Sequence, residues 1–156
     1  MLSEKDFKQI IQNTPLISID LIIKSPDNKY LLGYRTNKPA KDTWFVPGGR
    51  IKKGETIEEA FSRIAKVELG IQLDLKQAKY LGLYEHIYPN DNYFNDPEIG
   101  TTHYIVNGFQ IDLENNLDTL PKEQHAEYWW ATKDEILSNV KVHLNTKNYF
   151  NGFRLV

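Results

Sequence analysis

Glu68 is the residue of this chain that most needs a chemical reason. Thr56 and Glu59 stand at the Thr-x-x-Glu spacing of a capping box, which predicts a helix starting at Ile57. At about 100° per residue, Ile57, Ala60, Phe61, Ile64, Ala65 and Val67 share one apolar arc, and Glu68 falls inside it. A lone carboxylate there would cost on the order of several kcal/mol, and the helix dipole disfavours negative charge in a last turn. Three outcomes relieve it: an arginine partner, a reach past the helix end into water, or a bound cation. Just upstream, Gly48-Gly49 lets the backbone approach a ligand closely. From residue 35 to residue 53, Arg35, Lys38, Lys41, Arg50, Lys52 and Lys53 face the single acid Asp42. That field suits a compact polyanion such as a diphosphate, whose oxygens guanidinium groups match in pairs; the lysines fit a solvated basic face equally well.

The elements that must hold these groups can be read in order. Ser3-x-x-Asp6 opens a short helix with Phe7, Ile10 and Ile11 as its apolar stripe, ending by Asn13-Thr14-Pro15. So short an amphipathic piece needs a surface, either its own sheet or a partner subunit. Leu16 to Ile23 is a strand with Asp20 at its centre, a position where an acid is either paired or functional. A turn at Pro26–Asn28 leads to Tyr30–Arg35 as a hairpin, and Thr43–Val46 is a short strand stopped by Pro47. After the helix, Lys79–Tyr88 is a strand carrying Glu85 and His86, and Thr101–Leu113 is a long one carrying His103 and Tyr104. The polar loop 89–100 between them is either a lid or recognition loop, or a loose surface excursion. His125–Ala131 is a final strand, Thr132-x-x-Glu135 caps a short helix, and His143–Phe150 is a last helix. Mixed hairpins around one strong helix, without regular β-α-β alternation, predict an α/β or α+β sandwich.

Composition narrows the rest. At 156 residues, 40% apolar and 26% charged, residues 1–156 form one domain with a substantial core. Zero cysteines exclude disulfides, thiolate metal sites and thiol nucleophiles. The net charge of −2 argues against non-specific nucleic-acid binding. No signal-like start and no membrane-length apolar run make a cytoplasmic protein the expectation, with no membrane partner.

Gly49, five residues, Glu55, seven residues, Arg63, then Glu68, Gly70 and Ile71 resemble the Nudix box, G-x5-E-x7-R-E-U-x-E-E-x-G-U. Two positions depart from it: Ile64 and Val67 stand where the box has carboxylates. In typical Nudix hydrolases those carboxylates hold extra divalent ions and activate the water that attacks phosphorus. Their loss implies one metal site and a base from elsewhere. NTPLISID (13–20), LLGYRTN (31–37), WFVPGGR (44–50), TTHY (101–104) and EQH (123–125) extend the likeness to the GDP-mannose mannosyl hydrolases, the Nudix branch with this shortened carboxylate set.

That resemblance implies a Nudix fold, an α/β/α sandwich with a mixed central sheet. It implies hydrolysis of GDP-mannose or GDP-glucose to GDP and free hexose, with water attacking sugar C1 and inverting it. It further implies one Mg²⁺ per subunit, replaceable by Mn²⁺, and a homodimer. Carried across by position, the metal ligands are the Gly48 carbonyl, Glu68 and Gln124, and His125 is the general base. Asp20 and Arg35 belong to the catalytic set; Arg35, Arg50, Arg63, His86 and Tyr104 to substrate binding; Leu2 and Phe7 to the nucleotide, either within the subunit or across the dimer. Arg63 has a structural alternative, bracing Glu55. Two rival functions stand beside this one: a pyrophosphohydrolase that splits the nucleotide sugar at phosphorus, and a non-catalytic module that senses a nucleotide.

Overall fold

A computed structural model describes residues 1–122, 125 and 127–155. In chain order the elements are α1 (Glu4–Asn13), β1 (Leu16–Lys24), β2 (Tyr30–Tyr34), β3 (Trp44–Phe45), β4 (Gly48–Arg50), α2 (Ile57–Leu69), β5 (Lys79–Tyr88), β6 (Thr102–Asp112), β7 (Tyr128–Ala131), α3 (Lys133–Ser138) and α4 (Leu144–Lys147). The apolar run of β1 becomes the middle of a mixed sheet ordered β3-β2-β1-β6-β5, with β4 also against β1 and β7 against β2. β1 and β6 run parallel from Leu16↔Tyr104 to Lys24↔Asp112, and the other pairings are antiparallel. A strand with neighbours on both edges and layers on both faces must be apolar on both faces. Ile19, Leu21 and Ile23 accordingly pack on Phe61, Ile64 and Leu69 of α2, while Ile22 packs with Phe45, Val46, Ile136 and Phe150 on the opposite face. Each such side chain contributes about 1.5–3 kcal/mol by leaving water. The result is the α/β/α sandwich expected for the Nudix fold.

Both ends of α2 form as predicted. Thr56 and Glu59 make the reciprocal capping box, and Gly70 closes the helix in the left-handed conformation at φ 72°. The apolar arc is narrower than expected. Ala60, Phe61, Ile64, Ala65 and Leu69 are buried, whereas Ile57 and Val67 are 47% and 43% exposed. Ile57 is the first helical residue and Val67 lies at the rim of the arc.

Three local expectations are corrected. Gly48-Gly49 is not an open loop but part of β4, running antiparallel to β1. The last helix stops at Lys147, with His143 as its N-cap, so Tyr149 and Phe150 turn inward beyond it. The final strand begins at Tyr128, not His125. Instead of extending the ladder, His125 lies across Gly33 of β2, where a Cβ would come within 2.5 Å of the imidazole.

α1 finds its surface within the same chain. Phe7, Ile10 and Ile11 pack with Leu16, Phe94, Ile99 and Tyr104. The 89–100 loop is therefore not loose. Asn92, 2% exposed, donates to the carbonyls of Asp96 and Gly100 at 2.9 Å and accepts from the Asp96 amide at 3.1 Å. A second loop is tied to it, since Asp91 accepts from the Ala40 amide at 2.9 Å and Lys38 donates to Asn95 at 3.0 Å. Among the described residues no helix is long and apolar enough to cross a membrane.

Candidate active site

On the sheet face opposite α2, alternation along β1 brings Ser18 and Asp20 to the floor of a cleft of about 240 Å³. By the same alternation β5 supplies His86 and Tyr88, and β6 supplies Tyr104. Arg35 follows β2, Gly48, Gly49 and Arg50 come from β4, Glu68 from the last turn of α2, and His125 from the approach to β7. Most of the sequence-predicted site residues thus meet in one place. Arg63 and Leu2 do not line the cleft, and Gln124 lies outside the described residues. Phe7 borders it through Arg50, whose guanidinium sits 5.0 Å from the Phe7 ring centre.

Arg63 is committed elsewhere. Its Nε and Nη2 donate to the two Glu55 oxygens at 2.5 and 2.9 Å, and Nη2 also donates to the Arg50 carbonyl at 2.8 Å. The hydrogen bonds from Arg63 hold the Glu55 carboxyl down at about 2. This is the bracing role, and it ties α2 to the β4 strand that carries Arg50. Arg35 is aimed by its own loop, Nε donating to the Pro39 carbonyl at 2.8 Å, with the guanidinium 5.7 Å from the Phe45 ring centre.

Glu68 meets neither an arginine nor open water. Its Oε2 lies 3.3 Å from His125 Nε2, and the two side chains are only 12% and 8% exposed. The His125 ring is held between Gly33 and the Tyr128 ring, 5.4 Å away centre to centre. His125 Nδ1 is buried without a hydrogen-bond partner among the described residues.

The floor is a buried polar cluster. Burial raises the Asp20 carboxyl to about 7, against the pull of a Tyr149 hydrogen bond and of Arg35, with Glu68 pushing it further up. Burial, together with His143, lowers the His86 imidazole to about 4. His86 Nδ1 stands 4.0 Å from Asp20 Oδ2, so near neutral pH this is a contact of an uncharged imidazole and not an ion pair.

The donor set fits one hard cation. Leu21 N–H donates to Pro47 O and Ile51 N–H to Ile17 O, both at 2.8 Å. By the alternation of an antiparallel ladder, the intervening Asp20↔Gly48 pair is a non-hydrogen-bonded one, with the Gly48 carbonyl turned away from β1. The same close pairing explains the glycine, since a Cβ at 48 would meet Asp20 Oδ1 at 2.3 Å. Among the described residues no three His, Cys, Asp or Glu cluster as a cage. One carboxylate and a free carbonyl suit a hard divalent ion that keeps several waters or substrate oxygens.

Ser18, Asn37, Phe45 and Tyr88 also line the cleft and were not singled out from sequence. Ser18 and Tyr88 lie two residues from Asp20 and His86, so strand alternation could have found them. Tyr149, which bonds Asp20 from the far end of the chain, has no such signal.

The chain belongs to the Nudix family: the NUDIX domain matches residues 14–151. It is 35% identical over 130 residues to the low-salt glycan biosynthesis protein Agl8 of Haloferax volcanii, covering 81% of this chain and 76% of that protein. It is 38% identical over 85 residues to an ADP-ribose pyrophosphatase of Methanocaldococcus jannaschii, covering 54% of this chain and 48% of that one. A MutT NUDIX hydrolase structure from Burkholderia pseudomallei superposes with a TM-score of 0.69 at 22% identity, over 88% of this chain and 97% of that chain.

Proposed function

We propose that this Nudix hydrolase cleaves a GDP-hexose, GDP-mannose or GDP-glucose, at the sugar carbon, releasing GDP and free hexose. The observation that carries the reading is the make-up of the box helix. Glu68 is the carboxylate it gives to the cleft, with an imidazole 3.3 Å away, while Ile64 is buried under Gly49 and Val67 faces solvent. A relative named for glycan biosynthesis supports a sugar-nucleotide substrate.

Substitution at an anomeric carbon develops positive charge on the sugar and negative charge on the departing diphosphate. GDP leaves without needing a proton, so the protein must neutralise charge behind it. Arg35 and Arg50 flank the cleft for that task. One Mg²⁺, or Mn²⁺ in its place, held by Glu68, the Gly48 carbonyl and Gln124, would supply further charge to the leaving diphosphate. His125 Nε2, 3.3 Å from Glu68, would take the proton of the attacking water, a role suited to an imidazole. Asp20, His86 and Tyr104 offer hydrogen-bonding groups on the floor. Homodimerisation, a part for Leu2 and Phe7 in nucleotide binding, and a cytoplasmic location belong to the same reading.

The second reading, attack at phosphorus, is favoured by the ADP-ribose pyrophosphatase relative. Hydrolysis of GDP-mannose with Mg²⁺ in ¹⁸O-water separates them. Label in mannose is the expected result. Label in GMP or in sugar phosphate would establish the second reading, and no turnover would leave a nucleotide-sensing module.

A further inference from the structure

Tyr149 is used by nothing described so far except a single hydrogen bond. It stands just past α4, and its ring lies against Tyr84 and His86, 4.5 and 6.1 Å away centre to centre. Beneath it is Gly108 of β6, where a Cβ would come within 2.9 Å of the tyrosine ring. The ring thus packs against the sheet where Gly108 leaves room for it, and its hydroxyl donates to Asp20 Oδ2 at 2.6 Å. The Asp20 side chain is then held from two sides. Oδ2 is taken by Tyr149, and Oδ1 is against the β4 wall at Gly48, itself part of the cleft.

We infer that Tyr149 is a positioning residue for the hydrolysis, its hydroxyl fixing the side-chain rotamer of Asp20 so that Oδ1 is offered to the cleft. The inference rests on the reading of Asp20 as part of the active site. Packing alone does not require the hydroxyl, because a phenylalanine would fill the same space over Gly108. Rotation of Asp20 away from β4 would turn its free oxygen from the cleft toward His86, which stands 4.0 Å from Oδ2. Burial pushes the Tyr149 phenol well above its ordinary range, so the donor proton stays in place throughout the working pH range.

The test is a kinetic cycle on the full chain with GDP-mannose and Mg²⁺, using Tyr149→Phe, Asp20→Ala and the double variant. Loss of a hydrogen bond to a carboxylate is expected to lower kcat by about 10- to 100-fold with KM little changed. The double variant should be no slower than Asp20→Ala alone. A parent that turns over while Tyr149→Phe keeps full kcat, or adds its loss on top of Asp20→Ala, overturns the positioning role and leaves the substrate reading intact. A parent that does not turn over overturns the substrate reading instead. In that case a crystal structure of Tyr149→Phe decides the contact: a changed Asp20 rotamer supports it, and an unchanged one overturns it.

Discussion

Asp20 and His86, 4.0 Å apart on the cleft floor, respond to pH in opposite senses. Asp20 titrates near 7 in the fold against 3.8 in an ordinary setting, so the native state holds its extra proton between those values. Stability from Asp20 is full below about 3.8 and is lost as pH rises through 7. His86 titrates near 4 against 6.5, so its contribution is full above 6.5 and is lost as pH falls toward 4. Each effect is on the order of a few kcal/mol, and over the shared window they offset one another. Chemical denaturation in EDTA should show the two apart: Asp20→Asn becomes steeply less stable from pH 6.5 to 4 than at neutral pH, while His86→Gln becomes more stable over the same range. A flat profile in both variants would contradict this account of the floor. The neighbouring prediction concerns His125. His125→Gln should lower kcat by about 10²- to 10⁴-fold with the fold intact, as expected for a general base, and near-full kcat would remove it from that role.

At the scale of elements, β4 depends on two glycines for different reasons. A Cβ at 48 would meet Asp20 Oδ1 at 2.3 Å and the Ile19 carbonyl at 2.6 Å, whereas for one at 49 the three nearest atoms all belong to the Ile64 side chain, at 3.0 Å or more. Backbone cannot yield as a side chain can. Gly48→Ala should therefore cost about 3 kcal/mol, near the upper end of overpacking, and Gly49→Ala about 1 kcal/mol, measured by urea denaturation. The elements that could be read from sequence are those whose signal is local. The capping box of α2 and the alternation of β5 lie within short windows, and their bounds follow from them. α4 is four residues long and His125 leaves the strand line to cross Gly33, and both are decided by distant partners. The site divides in the same way. Arg50, Glu55, Arg63 and Glu68 sit in one spaced motif, although its spacing does not say that Arg63 faces Glu55 instead of the cleft. Asn37, from a turn after β2, and Tyr149, from beyond α4, reach the floor or its edge through tertiary contacts that no short window contains.

At the scale of the molecule, two loops and the first helix form one side wall. Asn92 closes the 89–100 loop on itself, Asp91 and Asn95 fasten it to the 38–40 turn, and Phe94 and Ile99 support α1. The same turn supplies the Pro39 carbonyl that aims Arg35. Asn92→Ala should release all of these together. Hydrogen exchange would then rise in α1 and in residues 89–100, and affinity for GDP would fall, while exchange in α2 stays as in the parent. Faster exchange confined to residues 92–96 would show that the wall is not one unit.

The bond from Tyr149 to Asp20 joins positions 129 apart in the chain. During synthesis the sheet, the box helix and both arginines can emerge and begin to fold before the last partner of the floor exists. A nascent or shortened chain ending at residue 148 would therefore have the outline of an enzyme with its central carboxyl unanchored. Such a chain would lack the hydroxyl that fixes Asp20, and its turnover would be slower than the parent's by at least the factor expected for Tyr149→Phe.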